Sequence, residues 1–343
     1  MFTWFSGTNT LRNMLQLHLI KAAQAIPFVK VLEQAGARVR KLSERVGMPI
    51  DAVYAGKGVI GEFCVWRFID LAAKHEQRDL LGYDVANQYP INSVEGIGGI
   101  RTRTATTLRE LLEHFIEDVQ AESTGCSYSL KPATDGLYFV RELMFGEKWK
   151  NWQTEQYMIT IIIQIIRLCA GPKWLPPEVK ISSSHKALPF PDEWKSIRFV
   201  WGSDTTDIKI PAKILALPVG KQATTKKSDF KNSTESVPCA TPSFTELVQT
   251  QILTNSLGIK NAAQQTGISP KTLRRKLLQN NTSYSGIVEQ LRFELAQSKL
   301  KNSAAPIHTI ARELGYEHHA NFTRAFKRMC GITPQKYRKQ MDL

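Results

Sequence analysis

Acidic residues are the scarce class in this chain: 31 Asp and Glu stand against 45 Lys and Arg in 343 residues, a formal net charge of +14. Such an excess implies a polyanionic partner, nucleic acid or a membrane surface, and says nothing about fold. Long apolar runs are missing too. The longest aliphatic stretch, Met158 to Ile166, stops at Arg167, well short of the roughly 20 residues that span a bilayer. The first residues show no basic segment leading into an apolar one, so neither a membrane partner nor a secretory signal is expected. Cysteine is sparse. Cys64, Cys126, Cys169, Cys239 and Cys330 are odd in number and widely spaced, with no CxxC and no pair at metal-ligand spacing. Reduced thiols, no metal site and a cytoplasmic location are the expectation.

Motifs of catalysis are absent as well. There is no G-x-S-x-G, no H-E-x-x-H and no P-loop, and the seven histidines are scattered. Gly96-Ile97-Gly98-Gly99 follows no strand-to-helix signature and reads as a loop rather than a phosphate cradle. Trp66, Trp149, Trp152 and Trp174 could line a pocket, but aromatic residues of this kind are more often core. No enzyme activity and no cofactor are expected.

What is present begins with the placement of charge. Residues 239–343 hold 15 basic and 6 acidic residues, a net of +9 in 105 residues, while the preceding 238 carry only +5. Lys221 to Ser243 is polar, rich in Ser, Thr and Lys, and almost free of large apolar residues. Length and composition predict two domains: residues 1–220, a linker over 221–240, and a basic domain over 241–340.

The basic domain repeats itself. Ile259, Ala262, Ala263 and Gly267 recur as Ile307, Ile310, Ala311 and Gly315, with apolar residues at i, i+3 and i+4 before a glycine suited to a helix end. A second amphipathic segment follows each glycine, marked by Leu273 and Leu277, then by Phe322 and Phe326. Helix, tight turn and helix describe the helix-turn-helix, here over about 259–278 and 307–330. Ser269 and Pro270 are a strong start signal for the second helix of the first copy; Glu317, His318 and His319 occupy the corresponding turn of the other. A plain helical hairpin would satisfy the apolar spacing alone. The outward faces favour DNA: Lys271, Thr272, Arg274, Arg275 and Lys276 in one copy, Asn321, Thr323, Arg324, Lys327 and Arg328 in the other. Arg275 and Arg324 each stand two residues after the first core residue, and arginine can donate two parallel hydrogen bonds to guanine O6 and N7. Ser285 to Leu300 reads as a connecting helix, about 24 Å long at 1.5 Å per residue. It could hold two recognition helices near one DNA turn apart.

The segments GISPKTLRRKL, LRFELAQSKL and IHTIARELGYEHHANFTRAFKRMCGITPQKYR resemble the AraC/XylS family of bacterial transcription regulators over about 100 residues. The resemblance implies that Lys271, Arg274 and Arg275 face bases in one half-site, and His319, Ala320, Thr323 and Arg324 in the next. His318-His319 departs from the small polar residues usual there. A histidine pair at this place is read as a turn and phosphate neighbour rather than a metal site.

The first 220 residues read as mixed α+β. Helical periodicity covers Leu11–Leu32 and Gly61–His75, and Trp152–Cys169 reads as a buried helix. Strand-like stretches are Ser127–Leu130, Leu137–Arg141, Glu178–Ile181, Ser196–Val200 and Thr206–Ile210, with a turn at Ala133–Gly136. This part resembles the arabinose-binding-type N-terminal domain of the ornithine-utilisation-regulator-like branch, mainly between Tyr157 and Val219. That implies an effector-sensing or dimerisation domain. The expected architecture is therefore an α+β sensing domain joined to an all-α domain with two helix-turn-helix motifs and a linker helix. The expected protein is a cytoplasmic, nucleoid-associated bacterial transcription regulator, an activator or a repressor according to where its site lies relative to a promoter. Its partners would be double-stranded DNA, a small-molecule effector, and such further ones as RNA polymerase and a second copy of the chain. Two other readings stay open: a ligand-independent regulator with a docking or dimerisation domain, and an enzyme fused to a DNA-binding module.

Overall fold

A computed structural model describes residues 17–90, 105–144, 151–182, 189–220 and 241–341, and the chain divides into two compact units, Leu17–Pro242 and Ser243 onward. In the first unit, β1 (Leu19–Lys21) pairs antiparallel with β2 (Val59–Gly61). Between them lie α1 (Ile26–Gln34), α2 (Val39–Val46) and α3 (Ile50–Ala55). The helix expected over Leu11–Leu32 is thus partly a strand; residues 11–16 lie outside the described residues. Pro27 supplies the reason. It has no N–H to donate back, so Ala22–Ala25 form a tight 3-10 turn and the α-helix starts only at Ile26.

Helices α4 (Glu62–His75), α5 (Leu81–Gln88) and α6 (Leu108–Glu122) follow. Then come the hairpin β3 (Cys126–Ala133) and β4 (Gly136–Leu143), and α7 (Trp152–Ala170). The unit closes with β5 (Glu178–Ile181), β6 (Arg198–Trp201), β7 (Thr206–Pro211) and the short α8 (Ala212–Leu215). The five-stranded sheet has the order β3-β4-β7-β5-β6 and is antiparallel except for β5 with β6. The helix-and-sheet mixture agrees with the sequence reading. The hairpin strands run further than expected, and β6 starts later, because Asp192–Ser196 form a 3-10 turn.

The long helix α7 is the centre of this unit. Ile159, Ile161, Ile162, Ile163, Ile165 and Ile166 are all buried, as an apolar circumference requires. Its first turn also does polar work. Gln153 Oε1 accepts from Gly82 N at 2.9 Å and Gln156 Oε1 from Tyr83 N at 3.2 Å, while both side-chain amides donate to Asp79 O. These bonds cap α5, whose own preceding residue, Leu80, offers no side-chain cap. Gly82 permits the approach: a Cβ there would stand 1.8 Å from Gln153 O.

Beneath α4 and α7 lies a buried charged group. Glu62 opens α4 and accepts from Ser123 Oγ at 2.7 Å. Arg141 of β4, also buried, sits 5.4 Å from the Trp66 ring centre. Glu155 of α7 accepts from Thr206 Oγ1 at 3.2 Å and from Ser182 Oγ. Burial pushes the Glu62 carboxyl up to about 7, against the opposing pull of the Ser123 hydroxyl and the Arg141 charge.

The second unit is entirely helical among its described residues: α9 (Phe244–Leu253), α10 (Ile259–Thr266), α11 (Pro270–Gln279), α12 (Tyr284–Asn302), α13 (Ile307–Glu313), α14 (His319–Cys330) and α15 (Pro334–Met341). Ser243 and Glu246 start α9 with reciprocal side-chain-to-backbone bonds, a capping box. Connecting helix α12, 19 residues and about 28 Å long, fastens both halves of the unit. Near its start, Tyr284 Oη donates to Gln251 Oε1 at 2.7 Å and accepts from Gly258 N at 2.9 Å. Midway, Arg292 donates from Nε to Leu314 O and from Nη2 to Gly315 O, each at 2.8 Å, with its guanidinium 4.5 Å from the Tyr316 ring centre.

Two expectations follow. Glu62 has its carboxyl raised in the fold, so its neutral form contributes stability fully below pH about 4.5, and that contribution is lost as pH rises through about 7. Glu62→Gln should flatten this fall and be more stable than the parent at pH 8, by up to about 3 kcal/mol in unfolding free energy. Tryptophan fluorescence reads it, since all seven tryptophans precede residue 202; parallel pH profiles of the two proteins would refute it. In the second unit, Arg292→Ala should cost about 2–3 kcal/mol in urea unfolding, having removed two charge-assisted bonds to carbonyls. Arg292→Lys should recover under half of that, because a single ammonium cannot reproduce the fork.

Candidate nucleic-acid interface

Helices α10 and α11 meet at a turn set by Gly267, whose φ of 72° places it in the left-handed region that favours glycine. Ser269 Oγ accepts from Thr272 N at 3.0 Å and Pro270 takes the first helical position, the start signal read from sequence. Leu273 and Leu277 are buried, which turns the remaining residues of α11 outward. Lys271, Arg274 and Arg275 are exposed; Thr272 and Lys276 are half-buried, with the Thr272 hydroxyl 2.8 Å from Ser269 Oγ.

Helices α13 and α14 repeat the arrangement around Gly315, at φ 74°. His318 precedes α14 and makes no side-chain cap, so this start is weaker than that of α11. Phe322 and Phe326 are buried and linked by ring contacts to Tyr316 at 5.5 Å, Phe293 at 5.1 Å and Tyr337 at 5.4 Å. His319, Ala320, Asn321, Arg324, Lys327 and Arg328 are exposed, and Thr323 is half-buried with its hydroxyl donating to His319 O at 3.1 Å.

The two outer faces differ in how their cations are held. Lys271, Arg274, Arg275 and Lys327 have no ion-pair partner among the described residues. Arg324 donates from Nη2 to Asn321 Oδ1 at 2.6 Å, which orients its guanidinium along α14. Arg328 pairs with Glu289 of α12 and so leans toward the scaffold. That pairing, the Tyr284 and Arg292 clamps, and the exposed Leu278 on α11 are features that motif spacing did not reveal. Each involves contacts across helices, or an apolar residue where the pattern leads one to expect a polar one.

The other residues singled out from sequence fall elsewhere. Trp66 and Trp152 are buried and Trp174 is half-buried; Trp152 packs on Phe190 at 5.3 Å and Trp201 at 6.1 Å, a core arrangement. Trp149, Gly96–Gly99, Cys239 and the segment 221–240 lie outside the described residues. Among the described residues no group of His, Cys, Asp and Glu is placed to hold a metal, and no helix is long and apolar enough to cross a membrane.

Comparison with known proteins agrees with this geometry. Residues 262–340 match a family described as a helix-turn-helix domain. An uncharacterized HTH-type transcriptional regulator of Mycobacterium tuberculosis is 30% identical over 80 residues, 23% of this chain and 23% of that protein. The ornithine utilization regulator of Pseudomonas aeruginosa is 33% identical over 81 residues, 24% of each. The matched stretch thus spans about a quarter of the length of these relatives. A solved transcriptional regulator of Chromobacterium violaceum, described as containing an AraC-type DNA-binding domain, is 25% identical over 28% of this chain and 85% of that one. Its TM-score is 0.26, at which the likeness carries no argument of its own. The resemblance read from near Ser243 to Arg338 and the family match over residues 262–340 rest on the same helices: the C-terminal part of this chain is an AraC-type helix-turn-helix domain.

Proposed function

We propose that the chain is a sequence-specific DNA-binding transcription regulator in which α11 and α14 are the recognition helices of two helix-turn-helix motifs joined by α12. The observation that carries this reading is the repeated presentation of an exposed arginine, Arg275 and Arg324, two residues after a buried apolar residue on the second helix of each pair. The exposed cations Lys271, Arg274 and Arg275 supply attraction to phosphates, a term independent of sequence; base edges in the major groove supply discrimination. Lys271, Arg274 and Arg275 serve one half-site, and His319, Ala320, Asn321, Thr323 and Arg324 the next. Thr272, Lys276, Lys327 and Arg328 flank these contacts. The first unit acts as a sensing or dimerisation module attached through residues 221–240. A small-molecule effector that binds one of its arrangements more tightly would shift the population that engages DNA and RNA polymerase.

Arg275→Ala and Arg324→Ala should each lose about 1–3 kcal/mol on a selected site, with little change on random duplex, as titrations at one salt concentration would measure. Equal losses on both duplexes would make these residues phosphate clamps instead. For the sensing role, a ligand specific to the native state must raise the tryptophan-reported melting temperature of the first unit. A shift with one member of a metabolite panel is expected; a panel without any shift favours a ligand-independent docking module.

A further inference from the structure

We propose that Leu278 is a specificity-determining residue that reads the C5-methyl group of a thymine in the half-site of α11; the inference rests on the DNA-binding reading above. Leu278 is 69% exposed, the largest exposure among the described large hydrophobic residues. Its place on the helix is what gives that exposure meaning. Lys271, Arg274, Arg275 and Leu278 follow the i, i+3, i+4, i+7 spacing of one helical stripe, and the buried Leu273 and Leu277 lie on the other side. An apolar side chain is therefore set among three cations that have no ion-pair partner among the described residues. Whatever covers the stripe must be anionic and must still offer an apolar group at one end.

A protein partner acidic enough to match these cations would have to add an apolar pocket at the right place. Duplex DNA already offers both features, because the major groove lies between phosphate chains and the thymine methyl is its one apolar base substituent. Dimensions agree. Seven residues of helix advance about 10.5 Å, the rise of about three base pairs, so Leu278 would meet a base pair about three steps from the one that Lys271 faces. The helix holds its form that far: Asn281, with φ 52°, turns the chain out of α11 and donates its N–H to Leu278 O at 2.9 Å. The second pair carries the contrasting residue. With the 49-residue offset that aligns the two second helices, Leu278 corresponds to Lys327. One helix ends its outer stripe on a phosphate-seeking charge and the other on an apolar group.

The test uses the full-length protein, a random duplex pool and Leu278→Ala. Being exposed, position 278 tolerates the change without loss of core. Selection with the parent should enrich a thymine at one position of the half-site. Replacing it by deoxyuridine, which removes only the methyl group, should weaken parent binding about three- to five-fold, the value of one methyl taken out of water. The variant should be indifferent to the same replacement, and Leu278→Lys should lose the thymine preference while binding all duplexes more tightly. An enriched site whose affinity ignores the methyl group, or a variant that still senses it, overturns the role of Leu278 and leaves DNA recognition standing. A pool without any enriched sequence overturns both. A thymine preference sensed by the parent alone would not arise from a leucine that serves a protein partner.

Discussion

In the C-terminal unit, Arg292 ties the turn between α13 and α14 to the connecting helix α12. Helix α13 has only seven residues, too few to be stable by itself, and its end leaves carbonyls without partners. The planar guanidinium reaches two successive carbonyls, Leu314 O and Gly315 O, and its outer face is covered by Tyr316. Space for this exists because residue 315 has no Cβ; one would stand 3.0 Å from Arg292 Nη2. Tyr316 then contacts Phe322 and Phe322 contacts Phe326, so the orientation of α14 is transmitted from α12 through a row of packed rings. Tyr284 performs the equivalent task for the other half with a single hydroxyl that both donates and accepts.

Charge is used in opposite ways by the two units. On α11, Lys271, Arg274 and Arg275 have no ion-pair partner among the described residues and face water, where attraction to an anion is modest and weakened by salt. In the first unit, Glu62, Arg141 and Glu155 are withdrawn from solvent among Trp66, Ser123, Ser182 and Thr206. Removing charge from water is costly unless partners are close, and the raised Glu62 carboxyl records the part of that cost that its neighbours do not offset.

Legibility followed the range of the interactions. The cap at Ser269, the left-handed turns at Gly267 and Gly315, and the buried pairs Leu273/Leu277 and Phe322/Phe326 are local, and each shows in a short stretch of sequence. The apolar circumference of α7 was equally plain. By contrast, β1 was hidden because three residues carry no period and its partner lies 40 residues away. The pairing of Arg328 with Glu289 leaves no trace in spacing, since it joins two helices across 39 residues. Helices α2, α3 and α5 have only six to eight residues, too few for a period to stand out, whereas α6 carries Leu108, Leu111, Leu112, Phe115 and Val119 at helical spacing, a signal present in the sequence but missed.

Helix α5 shows what such dependence entails. It has eight residues, no side-chain cap of its own, and the first-turn amides of Gly82 and Tyr83 bonded to Gln153 and Gln156 of α7. A segment that short does not hold a helix in water. Its N-terminal cap is thus supplied by a helix that begins some 70 residues further along the chain. Its earlier neighbour α1 supplies the Gln34 side chain that accepts from Gln88 Nε2, but the bonds that complete its first turn come from chain made later.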